Sequence, residues 1–210
     1  MAPRLLIFAS GTPQGGGSGF RRLVGASRTG KLNADIVGVV SNHRDGGVRA
    51  AAHNLDIPFI HFPPPHLATE YRMIVDDYEP DFVALSGWVK MAKGLDPRTT
   101  LNIHPGPLPR FGGPGMYGYH VHEAVLEAYR HREIKESAVS MHFVTEDGYD
   151  QGPVFFRHPV PIEPGDTRES LGIRVNAMEH EWQAQVTNEV LAGRIRWDGK
   201  DPKSLVSSML

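Results

Sequence analysis

The stretch TLNIHPGPLPRFGG, residues 100–113, sets an amide and an imidazole two positions apart, Asn102 and His104, at the end of a short apolar run. Side chains alternate along a strand, so residues i and i+2 project to the same side. Asn102 and His104 would therefore leave a strand end together, with Pro105, Gly106, Pro107 and Pro109 stiffening the exit. An amide donor beside an imidazole can stabilise charge on a carbonyl oxygen and handle a proton. Taken alone, the stretch reads equally well as a capping Asn and a surface His beside a Pro-rich turn.

A second stretch, FVTEDGYDQGP, offers Asp147 and Asp150. An Asp in a turn is usually a turn-maker, yet Asp150 precedes Gln-Gly-Pro and opens the second strand of an expected hairpin. If that hairpin end faces Asn102 and His104, a carboxylate joins the amide and the imidazole. A carboxylate close to a histidine favours its protonated form. The trio suits acyl transfer without a covalent intermediate. No serine has a G-x-S-x-G nucleophile context and the chain has no cysteine, so a covalent acyl-enzyme is not indicated.

A third candidate is the glycine-rich segment SGTPQGGGSGF, from Ser10 to Phe20. A strand, then glycines, then a helix start can hold a phosphate on backbone N–H groups. The spacing is neither G-x-G-x-x-G nor a Walker loop, which disfavours NAD and ATP and favours a simple phosphomonoester. Gly15, Gly16 and Gly17 are expected to take positive φ values, with Ser18 adding a hydroxyl and Arg21 or Arg22 assisting. Other histidines carry weaker signals. His120 and His122 are poorly spaced for a metal on a helix, and His142, between Met141 and Phe143, reads first as a hydrogen-bonded core residue. Glu179 and His180 fall mid-helix, where a Glu is usually solvated.

These residues must be positioned by the surrounding elements. Continuous apolar runs at 4–10, 34–42, 57–62, 81–87 and 99–104 read as strands, separated by helical patterns at 19–30, 47–56 and 67–80. Such alternation predicts a doubly wound, mostly parallel α/β sheet that binds ligands at the carboxyl ends of its strands. The second half predicts a helix at 120–132, an antiparallel hairpin within 137–162 turning at Asp147–Gly152, and a long helix at 166–194. Asp166 or Thr167 caps that helix, and the tail after Gly199 reads as polar and loose. The 210 residues form one expected domain, with about 1–100 as a phosphate-binding half and about 101–195 as a catalytic half.

The net charge of −2, from 22 basic and 24 acidic residues, does not mark a nucleic-acid binder, and no run is long and apolar enough for a membrane span. The N-terminus lacks a signal-peptide pattern, and the absence of cysteine fits a cytoplasmic protein.

LNIHPGPLPRFGG, HVHEAV, SAVSMHFVTEDGYDQGPV and RVNAMEHE together resemble the folate-dependent glycinamide ribonucleotide formyltransferases of purine biosynthesis, over roughly residues 4 to 195. The resemblance implies a Rossmann-like fold with a C-terminal hairpin and long helix. It implies 10-formyltetrahydrofolate as formyl donor, glycinamide ribonucleotide as acceptor, no metal and a candidate homodimer. It makes Asn102, His104 and Asp150 the catalytic trio, with protonated His104 and Asn102 stabilising the oxyanion while Asp150 orients His104. It places the folate against Ser86, Gly87, Trp88, Val89, Lys90 and Met91, with Asn102, Asp147 and Asp150 at the same site. The amine substrate falls to Ser10, Gly11, Thr12, Gly15, Gly16, Gly17, Ser18 and Gly19 at its phosphate, and to Pro105, Gly106, His142 and Glu179 near its amine.

Two departures stand out. The family's usual Ser-Gly-x-Gly-Ser-Asn is replaced by the longer SGTPQGGGSGF, and RFGGPGMYGYHVHEAV is longer than the compact turn expected before the helix. Formyl transfer to an amino sugar or initiator tRNA, hydrolysis of formyl folate, and a non-catalytic sensor of a phosphorylated metabolite are the competing readings. The tRNA and hydrolase readings would each want a further domain that this sequence does not predict.

Overall fold

The computed structural model describes residues 1–209, and its sheet has the strand order β3-β2-β1-β4-β5-β6-β7. The first half runs β1 (Arg4–Phe8), α1 (Ser18–Arg28), β2 (Asp35–Ser41), α2 (Gly47–Asn54), β3 (Phe59–His61), α3 (Ala68–Tyr78) and β4 (Phe82–Leu85). The second half runs β5 (Thr100–His104), α4 (Tyr119–Arg130), β6 (Glu136–Phe143), β7 (Val154–Pro161) and α5 (Arg168–Leu191). β1 to β5 pair in parallel, and β6 and β7 are added antiparallel at one edge. This is the α/β sheet with appended hairpin that the apolar periodicity predicts.

Alternation along β1 explains why both sheet faces need cover. Leu5, Ile7 and Ala9 pack with Phe20 and Leu23 of α1, Val48 of α2 and Val175 and Val186 of α5. Leu6 and Phe8 face the other way, onto Phe62, Tyr71 of α3 and Trp88. Burying a large apolar side chain of this kind contributes about 1.5–3 kcal/mol. In α1, Phe20, Leu23 and Val24 are buried at i, i+3 and i+4, the spacing that puts one helical face on a sheet.

One alternative is resolved and one expectation changes. Thr167, not Asp166, caps α5 by accepting from the Ser170 N–H, while Asp166 accepts from Ser170 Oγ and pairs with Arg174. The tail is held rather than loose. Arg196 pairs with Val206, Trp197 Nε1 donates to the Asp201 carbonyl at 2.8 Å, and Ser207 Oγ donates to the Phe155 carbonyl at 2.7 Å. A tryptophan ring with a buried N–H acts as the anchor that polar composition conceals. Leu210 lies outside the described residues.

At the far edge, β7 carries Pro159 and Pro161 on alternate positions.

The Tyr71 hydroxyl links two parts of the second core. It accepts from Trp88 Nε1 at 2.9 Å and donates to the Met91 carbonyl at 3.1 Å. Tyr71→Phe is expected to leave the buried indole N–H without a partner and to destabilise the fold by about 1–3 kcal/mol, read by chemical denaturation. An unchanged midpoint and slope would refute the link.

Candidate active site

The β5–β6 register brings the first two site residues together. Asn102 lies directly opposite His142, and His104 opposite Ser140. Cross-strand partners share a face at close range, so Asn102 Nδ2 comes within 3.0 Å of His142 Nε2. His142 Nδ1 donates to the Phe143 carbonyl at 2.7 Å, which fixes a proton on that nitrogen. Nε2 then meets the Asn102 amide and, at 3.4 Å, the Asp150 carboxylate. A neutral ring accepts from the amide, and a protonated ring donates to the carboxylate. His142 is thus both a buried core histidine and a member of the cluster.

Asp150 is delivered by the segment between β6 and β7, with φ of 58° in the left-handed region, where Asp is tolerated better than bulkier residues. Its Oδ2 accepts from the Gly113 N–H at 3.0 Å and its Oδ1 from Asn102 Nδ2 at 3.3 Å. Burial pushes the Asp150 carboxyl up, but the hydrogen bond of the His142 ring, the electrostatic attraction of His104 and the Gly113 N–H more than offset it, and it lies below the usual carboxylate range. His104 Nδ1 is 3.6 Å from Asp150 Oδ1, and its Nε2 donates to the Phe111 carbonyl at 2.8 Å.

Burial works against the cation of His104 that the sequence leads one to expect. The ring is 3% exposed, and burial pulls its pKa below the ordinary histidine value despite the opposing pull of Asp150 and the Phe111 carbonyl. Desolvation outweighs the one carboxylate. With Nε2–H given to the Phe111 carbonyl, Nδ1 is the ring nitrogen that faces Asp150.

Two adjoining cavities open at the carboxyl ends of the strands. The first, about 320 Å³, is lined by Asn102, His104, Pro105, Asp150 and Tyr149, with Gly87, Trp88, Val89 and the loop from Gly113 to Gly118 as walls. The second, about 390 Å³, is lined by Gly11, Thr12, Gly16, Gly17, Ser18 and Gly19, and by Asn176, His180 and Gln183 of α5. Gly87, Val89, Ile103, Tyr117, Gly118 and Glu179 belong to both, so they mark the junction. The long 110–119 segment singled out in the sequence forms much of that shared wall. Glu179 is not a solvated mid-helix residue. Burial raises its pKa to about 7, against a lowering hydrogen bond from Asn176.

Trp88 both lines the first cavity and packs its indole among Phe8, Phe62, His66 and Tyr71. Several sequence-predicted contacts fall elsewhere. Lys90 and Met91 are not among the cavity walls, and the Met91 carbonyl is taken by Tyr71. Ser86 lines the second cavity and not the first. Asp147 lines a separate groove with Trp197 and Lys200. Ser10 is a structural tie, its Oγ accepting from the Val89 N–H and its carbonyl from Ser41 Oγ. Gly106 packs against Val121 and His104, with its carbonyl accepting from Ser140 Oγ. His120 sits edge-on to Tyr117, while His122 is buried and brought down to about 4 by burial and by His104.

The glycine-rich segment is ordered by its own turn. The Gly15 N–H donates to Thr12 Oγ1 at 2.9 Å, which closes the loop and keeps Gly15 off the cavity wall. Gly16 and Gly17 take φ of 89° and 70°, whereas Gly15 does not enter the left-handed region. Gly17 caps α1, so the first N–H groups of the helix point into the second cavity without intrahelical partners. Arg21 is committed to the Gly16 carbonyl at 2.8 Å and so steadies the loop from behind. The sequence reading missed Tyr149, Tyr117, Asn176 and Gln183. Asn176, Glu179 and Gln183 follow helical i, i+3, i+7 spacing, a signal that pointed to one face of α5.

A family model described as "Formyl transferase" matches residues 3–187. The chloroplastic phosphoribosylglycinamide formyltransferase of Arabidopsis thaliana is 36% identical over 92% of this chain and 67% of its own length. That of Escherichia coli K12 is 31% identical over 87% of this chain and 86% of its own. The crystal structure of glycinamide ribonucleotide transformylase 1 from Symbiobacterium toebii superposes with a TM-score of 0.80 at 26% identity, covering 95% of this chain and 92% of that one. Sheet order, the converged amide, imidazole and carboxylate, and sequence likeness over most of its length agree, and the chain belongs to the formyl transferase family.

Proposed function

We propose that this protein transfers the formyl group of 10-formyltetrahydrofolate to the amine of glycinamide ribonucleotide, a step of purine biosynthesis. The observation that carries the reading is the junction of two cavities at Glu179. One holds the Asn102–His104–Asp150 cluster, and the other ends on an α1 N-terminus suited to a phosphate. An amine spanning from the phosphate end reaches the cluster across that junction. The first cavity combines backbone and apolar walls at Gly87–Val89, Ile103 and Tyr149 with a polar end, which fits a flat heteroaromatic head beside a reacting carbonyl.

The folate supplies a formyl carbon activated by its attachment to nitrogen. Asn102 sits where its amide can donate to the formyl oxygen, and the N–H now shared with Asp150 at 3.3 Å is the more weakly held of its two. The amine nitrogen bonds to the formyl carbon and His104 Nδ1 takes the proton it sheds, with Asp150 stabilising the imidazolium across a gap of 3.6 Å. The bond from the formyl carbon to the folate nitrogen then breaks and that nitrogen receives the proton, which leaves tetrahydrofolate and the formylated amine. Ionised Glu179 holds the amine end of the substrate. Small-molecule partners and a cytoplasmic location go with this reading, and among the described residues no helix is long and apolar enough to cross a membrane.

Asp150→Asn removes the charge that stabilises protonated His104 but keeps the hydrogen-bonding shape. It is expected to lower kcat by about 10²–10⁴ in formyl transfer from formyl folate, with folate affinity retained. A loss within threefold would sink the assignment. Glu179, with a pKa raised to about 7, gains its charge as pH rises through that value, so the KM for the amine should fall between about pH 6 and 8. Glu179→Gln is expected to remove that pH dependence.

The same raised pKa has a stability sign. Holding Glu179 neutral stabilises the fold fully below the unfolded value of 4.5, and this is lost as pH rises through about 7. Glu179→Gln should therefore match the wild-type melting temperature near pH 4 and exceed it near pH 8. Parallel melting curves for both proteins across that range would contradict the assignment.

A further inference from the structure

Gln183 is the least exposed polar residue of the phosphate-side cavity, at 3%. Its Oε1 accepts from Ser86 Oγ at 3.1 Å. Its Nε2 has no hydrogen-bond partner among the described residues and opens onto the cavity. A donor that an otherwise buried side chain presents to an open cavity is placed to meet a ligand acceptor. We infer that Gln183 donates its amide N–H to the phosphate of the ribonucleotide substrate, an inference that rests on the phosphorylated amine proposed above.

The placement favours the phosphate over the sugar. Gln183 is one helical turn beyond Glu179 on α5, about 6 Å further along the axis and away from the amine junction. That turn brings it under the first turn of α1. A Cβ added to Gly19 would lie 2.2 Å from Ser86 Oγ and 3.0 Å from Gln183 Oε1. Helical Cβ atoms tilt toward the N-terminus, so the amide sits at the end of α1 where the unpaired N–H groups of Ser18 and Gly19 converge. Gly19 is what lets α1 close onto this pair. No Lys or Arg lines the cavity. The anion is then held by neutral donors and the helix dipole alone, and each donor weighs more than it would beside a cation.

The test replaces the donor while keeping the partner of Ser86. Gln183→Glu preserves an acceptor for Ser86 Oγ and sets a carboxylate against the anion, and Gln183→Met is a neutral variant of similar length. Ribose 5-phosphate, inorganic phosphate and ribose are titrated calorimetrically above pH 8, with thermal unfolding as the folding control. Ribose 5-phosphate and phosphate are expected to bind at least tenfold more weakly to the Glu variant and about three- to tenfold more weakly to the Met variant, with ribose unaffected. In turnover, the loss should fall on the KM for the phosphorylated amine and not on that for formyl folate. Wild-type affinity for ribose 5-phosphate in a folded Glu variant overturns the inference. So does equal weakening of ribose, or failure of the wild-type protein to bind ribose 5-phosphate. If the Met variant fails to fold, the Glu variant decides. A wild-type protein that binds ribose 5-phosphate with these variant effects but formylates no glycinamide ribonucleotide overturns the proposed reaction and leaves this contact standing.

Discussion

Everything in the site depends on a competition between burial and charge at His104. Taking an imidazole out of water penalises its cation, and a single carboxylate 3.6 Å away does not restore it. The result is a buried imidazole whose cation is disfavoured beside a carboxyl held below its usual range. The Asn102 amide, the Phe111 carbonyl and the Gly113 N–H are all arranged around that balance.

The competition is set up by sheet topology. Parallel strands β1 to β5 aim their carboxyl ends at one edge, and the reversal at β6 then lays a chain antiparallel to β5. That reversal puts His142 opposite Asn102, and the connection to β7 returns Asp150 over the same strand end. The Pro-rich exit from β5 supplies the remaining constraint. Phe111 offers its carbonyl to His104 and Gly113 its N–H to Asp150, so the loop holds both members of the pair from the far side.

Much of this was legible in the sequence. Period-two alternation gave the i, i+2 placement of Asn102 and His104, and a Gly-Pro turn marked the hairpin that carries Asp150. What escaped was whatever depends on relative energies or on distant segments meeting. The protonation state of His104 follows from burial, which no motif reports. Trp88 lines the first cavity as expected, but that its ring is also anchored among Phe8, Phe62 and Tyr71 depends on segments far apart in sequence. Asp147 is in a turn only three residues before Asp150, yet the turn directs it to a different groove. Gln183 is silent until α1 and α5 are packed together.

The edge formed by β7 has a consequence for how this molecule meets its own copies. Proline has no N–H to offer, and Pro159 and Pro161 share the parity whose backbone groups face away from β6. Two of the outward donors that a docking strand would need are therefore missing. The sheet is closed to growth on that side, as natural edge strands often are. Strand addition at β7 is accordingly disfavoured, so the β-ladder that ends there is protected from templating aggregates on that side.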